Sequence, residues 1–340
     1  MKQFRVSVVG VTGAVGQVML ECLEQRGFPV GELIPLASSR SAGKKVKYGG
    51  QEWTIGDLAQ HQFAQGEIVL SSAGAKVTRT FREKAVQAGA VIVDNTSAFR
   101  MEDGVPLVVP EVNAAEIGNH PGLIANPNCC AAILCVAVWP LYRISRIKRM
   151  VIATYQSASG AGAAAMAELE TQTREILEGK SLTKKALPHQ LAFNLYSHNA
   201  AIEANGYNGE ENKVIAETKK IFGDPDMRIT VTCIRVPVMR AHTESVNIEF
   251  AEPVSEAQAR EAILNAPGVQ LADDREHNFF PMPIDASGKD DVLVGRIRRD
   301  VSQSDGRGLD ILISGDQLRK GAALNAVQIA EELVARNGQN

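Results

Sequence analysis

The chain reads as α/β, with a doubly wound, mostly parallel sheet followed by a second region built on a different and larger sheet. Three observations predict this. A glycine turn joins the first strand to the first helix, and strands and helices then alternate through the first third of the chain. Beyond about residue 145 the strand segments lengthen and fill with Val, Ile and Thr.

Residues 4–9 (FRVSVV) form the first predicted strand. The turn Gly10-Val11-Thr12-Gly13-Ala14-Val15-Gly16 follows, then a helical pattern, VMLECLEQRG, that stops at Gly27. The segment ELIPLAS predicts a second strand that runs into Ser38-Ser39-Arg40-Ser41. Two more apolar strands are expected at 68–73 (IVLSSA) and 90–95 (AVIVDN), with the amphipathic helix TRTFREKAVQAG between them. Next comes IANPNCCAAILCVAVWP, residues 124–140. Asn128 is a good N-cap, so a buried helix is expected to start at Cys129 and to end at Pro140. In the second region RMVIATYQSA, RITVTCIRVPV and HTESVNIEFA predict a substantial sheet with one exposed face. AGAAAMAELETQTREILEG reads as a helix, and residues from about 180 to 212 as a long irregular stretch, of the kind that is either functional, a dimer contact or a simple surface loop. GAALNAVQIAEELVARNG closes the chain as an amphipathic helix.

At 340 residues the chain is long for one hydrophobic core, and two domains are expected. With 45% hydrophobic and 22% charged residues and a net charge of −3, it lacks the balance of a dedicated nucleic-acid or anionic-membrane binder. The five cysteines are odd in number and contain no CxxC pair, so neither a disulfide framework nor a zinc site is indicated, and no metal is expected. The reducing cytoplasm is the expected compartment. The N-terminus runs straight into a strand without a signal-peptide core, and no apolar run reaches membrane-spanning length.

A GxxGxxG turn between a strand and a helix is a variant of the dinucleotide fingerprint, in which glycines let a pyrophosphate approach the helix N-terminus. Its plainer reading is a tight structural turn. The second strand separates the two nicotinamide cofactors. An NAD site places an acid there, whereas this chain offers Ser38, Ser39, Arg40 and Ser41, which suit a 2′-phosphate, so NADP is expected. A solvated loop arginine is the alternative. Buried thiols are ordinarily small hydrophobes, yet a thiol in the first turn of a helix faces unpaired N–H groups and the positive end of the dipole. At least one of Cys129 and Cys130 is therefore a candidate nucleophile. Thiolate attack on an acyl carbon needs an acid/base partner, and His242 stands out because it sits between two predicted strands, on what reads as a connection. Arg235 lies in the preceding strand, where a buried arginine wants an anionic partner, either a substrate carboxylate or an internal acid.

Along nearly its whole length the chain resembles the bacterial aspartate-β-semialdehyde dehydrogenases. The matching motifs are GVTGAVG, SSRSAG, DNTSAFRM, VPEVN, NPNC, YQSASGAG, ETKKI, RVPVMRAHTESV and LRKGAALNAVQIAE. The resemblance implies NADPH-dependent reductive dephosphorylation of L-4-aspartyl phosphate to L-aspartate 4-semialdehyde through a cysteine thioester, at the branch toward lysine or diaminopimelate, methionine and threonine. It implies a Rossmann-type NADP domain over 1–128, rejoined from about 316 to 340, and a catalytic and dimerisation domain over 129–315 in a homodimer. By the same resemblance Cys129 is the nucleophile, Gln156 orients substrate and His242 is the acid/base. Arg235 would hold the substrate carboxylate and Glu217 its ammonium, while Arg100, Asn95 and Lys220 would meet phosphate. Gly10, Thr12, Gly13, Ala14, Val15, Arg40, Ser41, Ser159, Gly160 and Gln317 are the implied cofactor residues. Cys130 stands where the family more often has Ser or Thr, and Gln317 where many relatives have Asn. The nearest rival, N-acetyl-γ-glutamyl-phosphate reductase, takes an acylated amine, which needs no acid such as Glu217. A non-catalytic NADP-binding relative should lack the cysteine or the histidine.

Overall fold

The computed structural model describes residues 3–337. The chain divides into two compact units: one runs to Asn128 and resumes at Ala322, and the other is Cys129–Gly321.

The first unit holds β1 (Phe4–Val9), α1 (Ala14–Gln25), β2 (Val30–Ala37), a small hairpin of β3 (Lys45–Tyr48) and β4 (Gln51–Thr54), then β5 (Gly56–Asp57), β6 (Ile68–Ser71), α2 (Ala75–Gln87), β7 (Val91–Asp94), a four-residue α3 (Pro110–Asn113) and β8 (Leu123–Ala125). Six of the strands pair in the order β5-β2-β1-β6-β7-β8, all parallel. Strands of a doubly wound sheet are covered on both faces, and here Val6, Val8 and Val9 of β1 and every residue of β6 are buried. The chain crosses from β1 to β6 by way of β2, so neighbouring strands leave β1 in opposite directions. That is the switch point where such sheets bind ligands, beyond the strands' C-terminal ends.

The second unit begins with α4 (Cys129–Tyr142) and β9 (Ile147–Gln156), followed by α5 (Ala163–Leu177), the two-residue β10 (Tyr196–Ser197) and α6 (Gly209–Phe222). It continues through β11 (Arg228–Arg235), β12 (His242–Phe250), α7 (Glu256–Leu264), β13 (Val269–Leu271), a short α8 (Pro283–Ala286), β14 (Val292–Arg299) and β15 (Gly308–Gly315). Seven strands form a mixed sheet in the order β10-β11-β9-β12-β15-β14-β13. The β9 and β11 strands run parallel, and β12 pairs antiparallel with both β9 and β15. Helix α4 is apolar on every side and buried from Cys130 to Val138, which makes it the central rod of this unit. It does not stop at Pro140 as the sequence predicts. Pro140 lies inside its last turn, where one missing N–H costs one ladder bond, and the turn carries on to Tyr142, with the Arg143 N–H donating to the Trp139 carbonyl at 3.1 Å.

The terminal helix α9 (Leu324–Asn337) belongs to the first unit. There Asn325 donates from Nδ2 to the Val108 carbonyl at 2.9 Å and to Asn126 Oδ1 at 2.7 Å. Helix α6 falls partly within the stretch that reads as irregular. Its capping box, Asn208 with Glu211, was there to be found, since both reciprocal hydrogen bonds form.

Candidate active site

In the first unit the glycine turn does what its spacing promises. Gly10 has φ +84°, and a Cβ on it would sit 2.9 Å from the Ala73 backbone nitrogen. Gly16, inside α1, is packed so closely against the turn that a Cβ would come within 2.4 Å of the Gly10 carbonyl oxygen. Helix α1 starts at Ala14 with no acid in its first turn, which leaves the positive end of its dipole uncompensated. A cavity of about 720 Å³ opens there, lined by Gly10, Thr12, Gly13, Ser38, Ser39 and Arg40 among others. Its far wall carries Phe63 and Phe81, whose rings stack at 5.5 Å. Backbone donors, an exposed arginine with two serines, and an aromatic wall fit a phosphorylated dinucleotide. Ala14 and Val15 form the start of α1, and Ser41 closes the turn after β2 by donating its N–H to the Ser38 carbonyl at 2.8 Å.

The same unit gathers Arg100 and Asn95. Arg100 is buried, its Nε donating to the Asn126 carbonyl at 2.9 Å and its Nη2 to the Asn95 carbonyl at 2.8 Å. Asn95 Oδ1 in turn accepts from Asn126 Nδ2 at 2.9 Å. Backbone carbonyls thereby fix the orientation of the guanidinium, whose charge also acts on the buried Asp94.

In the second unit three strand ends meet. Gln156 ends β9 and Arg235 ends β11, and the two are register partners on adjacent strands. His242 opens β12 and is fully buried, so it belongs to the strand itself and not to the connection that the sequence suggests. The physical reason is its pairing with Gly315 of β15, which extends the ladder back to it. Ser157, one residue past β9, donates its backbone N–H to His242 Nδ1 at 3.1 Å, with its hydroxyl 3.0 Å from the same atom. A backbone N–H can only donate, so Nδ1 accepts and the neutral ring carries its proton on Nε2. That nitrogen has no nitrogen or oxygen partner and faces Cys129; the donor atoms of Cys129, Cys130 and His242 all lie within 4.8 Å of one another.

Cys129 is the first residue of α4 and, unlike Cys130, retains some exposure. The Cys130 thiol beside it, and after that the neighbouring His242, hold the Cys129 thiol well below the ordinary thiol range against the opposing effect of burial. Cys130 moves the other way, well up, through its hydrogen bond to Cys129 and through burial. The two adjacent thiols are thus pushed in opposite directions, Cys129 toward the thiolate and Cys130 away from it.

Gly160 lies against this pair of functional groups. A Cβ on it would stand 2.9 Å from His242 Cε1, 3.0 Å from Nε2 and 3.1 Å from Arg235 Nη1, so only a bare backbone fits. Arg235 is buried; its Nη1 donates to the Ser157 carbonyl at 2.8 Å and its Nη2 lies 2.8 Å from His198 Nε2, while Nε has no partner. Among the described residues no acid pairs with it, which removes the internal-acid alternative. Gln156 Nε2 donates to Glu210 Oε1 at 3.3 Å. Gln317 donates from Nε2 to the Ser159 hydroxyl and accepts the Ala241 N–H at 2.9 Å, fastening the segment before His242, where Ala241 has φ +69°. Glu217 and Lys220 lie on α6. Glu217 and Thr218 are buried and face Cys135, so this side of α6 packs on α4 beyond the nucleophile. Ser157, His198, Glu210 and Glu244 escaped the sequence reading. Of these only Ser157 left a signal, its place inside YQSASGAG.

Two family models match: the NAD binding domain of the semialdehyde dehydrogenases over residues 5–120 and their dimerisation domain over residues 138–320. The class is therefore a semialdehyde dehydrogenase. The chain is 55% identical to an aspartate-semialdehyde dehydrogenase of Synechocystis sp. over 98% of both chains, and 50% identical to that of Prochlorococcus marinus over 98% of this chain and 96% of the relative. Among solved structures, aspartate semialdehyde dehydrogenase II from Vibrio cholerae, complexed with ASA, matches with a TM-score of 0.95 at 41% identity, over 98% of this chain and 99% of that one. The chain belongs to the aspartate-semialdehyde dehydrogenase family. No helix among the described residues is long and apolar enough to cross a membrane.

Proposed function

We propose that the protein reduces L-4-aspartyl phosphate to L-aspartate 4-semialdehyde with NADPH, releasing phosphate, and that it runs the same steps in reverse. The observation that carries this reading is the Cys129 thiol at the head of α4, beside the Nε2 of a histidine whose other nitrogen is held by Ser157. The Cys129 thiolate attacks the acyl carbon and phosphate leaves, giving a thioester on Cys129. NADPH, when bound at the glycine turn, supplies the hydride that reduces this thioester. His242 Nε2–H donates to the oxygen as negative charge develops on it, and the Cys129 thiolate departs as the aldehyde forms.

Each charge on the substrate has a counterpart. Arg235, buried with no acid of its own, takes the carboxylate, and Glu217 meets the α-ammonium. Arg100, Asn95 and Lys220 serve the phosphoryl group. Gln156 orients the acyl carbon, Ser159 and Gly160 complete the cofactor contacts, and Gln317 holds Ser159 in place for them. Arg40 with Ser41 reads the 2′-phosphate. The domains are those two units, the working form is a homodimer, the partners are small molecules and not nucleic acid or membrane, and the compartment is the cytoplasm.

The test is phosphate-dependent NADP reduction with L-aspartate 4-semialdehyde set against N-acetylglutamate 5-semialdehyde. Turnover of the first and not the second is expected. Mass spectrometry of enzyme trapped with substrate should place the acyl adduct on Cys129; an adduct on Cys130 would reverse the assignment.

A further inference from the structure

The arginine assigned to the substrate carboxylate has a neighbour that the mechanism above does not use. The two-residue strand β10 pairs antiparallel with the end of β11, Tyr196 opposite Arg235, and the His198 N–H continues the ladder by donating to the Cys233 carbonyl at 2.8 Å. Side chains two residues apart on a strand leave the same face, so His198 shares the inner face with the buried Arg235 and Cys233. There the half-buried ring reaches Arg235, with its Nε2 2.8 Å from Nη2. On the other side of the ring, Nδ1 takes the Ala200 backbone N–H at 3.2 Å.

One neutral ring cannot make both contacts as hydrogen bonds, because it has a single acceptor nitrogen. If Nε2 accepted from the guanidinium, the ring proton would sit on Nδ1 and point at the Ala200 N–H. If Nδ1 accepts, the proton sits on Nε2 and points at Nη2, which is itself a donor. A backbone N–H two residues along cannot turn away, whereas a guanidinium at the end of a long side chain can, so the second arrangement holds. A protonated ring would meet a donor on both sides. Burial lowers the His198 pKa and outweighs the opposing charge of Glu210, which keeps the ring neutral. Two donors that face each other at this distance are completed by one acceptor that takes both, and an anion does so best. Resting on the reading of Arg235 as the carboxylate residue, we propose that His198 is a second substrate-binding residue whose Nε2–H donates to the same carboxylate beside the guanidinium. Arg235 then joins two ends of the site. Its Nη1 lies on the His242 side, since Nη1 and His242 Nε2 stand 3.1 and 3.0 Å from the position of a Cβ on Gly160, and its Nη2 lies on the His198 side. The contact is made equally in substrate and in every intermediate, so it acts on binding and not on the rate of the chemistry.

The test is steady-state kinetics of the full-length protein in the phosphate-dependent direction. His198→Ala should raise KM for L-aspartate 4-semialdehyde about tenfold, the usual loss for one hydrogen bond to a charged group, with kcat and the KM for phosphate held within about twofold. With 3-aminopropanal, the same aldehyde without its carboxylate, His198→Ala and the wild type should not differ. His198→Gln, whose amide N–H reaches the Nε2 position, should restore most of the affinity, and the shorter His198→Asn should not. Arg235→Lys separates this proposal from the reading beneath it. If Arg235→Lys leaves KM for the semialdehyde unchanged, the carboxylate does not sit at Arg235, and that reading falls with the proposal. If it raises KM while His198→Ala does not, only the role of His198 falls. Added to Arg235→Lys, His198→Ala should raise KM by a further several-fold. A double variant no worse than Arg235→Lys would mean that His198 only holds the arginine. That result would overturn the proposal, as would a loss confined to kcat, a rise in the KM for phosphate in place of that for semialdehyde, or an equal loss with 3-aminopropanal.

Discussion

The glycine turn at residues 10–16 and the thiol site at Cys129 are built by opposite means. In the turn the working groups are backbone N–H groups and the cavity that missing side chains leave open, and the conformation of the turn itself is set by three glycines within seven consecutive residues. In the thiol site the working groups are side chains from α4, β9, β11 and β12, brought from positions 129, 156, 235 and 242. A site of the first kind is damaged by adding atoms. One of the second kind is damaged by removing them or by turning them.

The sharpest test of that contrast, with the largest effect, is Cys129→Ser. Turnover should fall by at least roughly a thousandfold, as for other catalytic nucleophiles, while NADP affinity measured by fluorescence titration stays unchanged. A parallel loss of NADP binding would mean that the two regions are not separable. Gly16→Ala adds one carbon where the Gly10 carbonyl oxygen would stand 2.4 Å away. It should cost about 1–3 kcal/mol of stability in urea denaturation, because the close neighbour is backbone that cannot swing aside. NADP affinity should fall with it, since the turn must open. If both are retained, the turn is more compliant than its packing indicates.

Arg40→Ala should weaken NADP by roughly ten- to a hundredfold and leave NAD nearly unchanged, the usual cost of one lost charge-assisted contact. Equal losses for the two cofactors would assign Arg40 to loop support instead. Arg235→Lys keeps the charge but loses the planar fork, and should raise KM for the semialdehyde by about tenfold. Arg100→Ala should raise the apparent constant for phosphate by a similar factor with the semialdehyde little altered. An Arg100 variant that loses semialdehyde but keeps phosphate would overturn this map of the two substrate ends. The smallest effect belongs to Cys130→Ser, which should keep most of the activity because a hydroxyl can still donate to the Cys129 sulfur. Loss of activity there as deep as in Cys129→Ser would mean that the thiol itself reacts.

Much of the molecule was readable in advance wherever the determinants are local. The strand, glycine turn and helix from 4 to 25 follow from period, from glycine spacing and from the Gly27 stop. The strands at 68–71 and 91–94 announce themselves as apolar runs because a parallel sheet is covered on both faces. Cys129 at the head of a helix follows from Asn128 and the uncharged run behind it. Motif resemblance then named His242, Gln156 and Arg235 as partners of that cysteine, which local pattern could not do.

Other features had no local signature. His242 reads as part of a connection because it falls at the junction of two predicted strands. Only pairing with Gly315, far along the chain, makes it the first rung of β12 and buries it. Ser157 is an ordinary polar residue until its backbone N–H meets His242 Nδ1 and settles which ring nitrogen carries the proton. Arg235 could have faced an internal acid, and only the packed structure shows that none of the described residues supplies one. Glu244 occupies an inward position of an alternating strand, where period alone would ask for an apolar residue. The amino-acid sequence by itself determined the alternation of elements, the glycine cradle and the nucleophile's place at a helix start, because period, φ preference and capping act within a few residues. Which histidine nitrogen faces the thiol, which arginine lacks an acid among the described residues, and which of two adjacent thiols is pushed toward the thiolate were decided only by the tertiary structure. Those outcomes depend on distances and burial between residues that the chain keeps far apart until it folds.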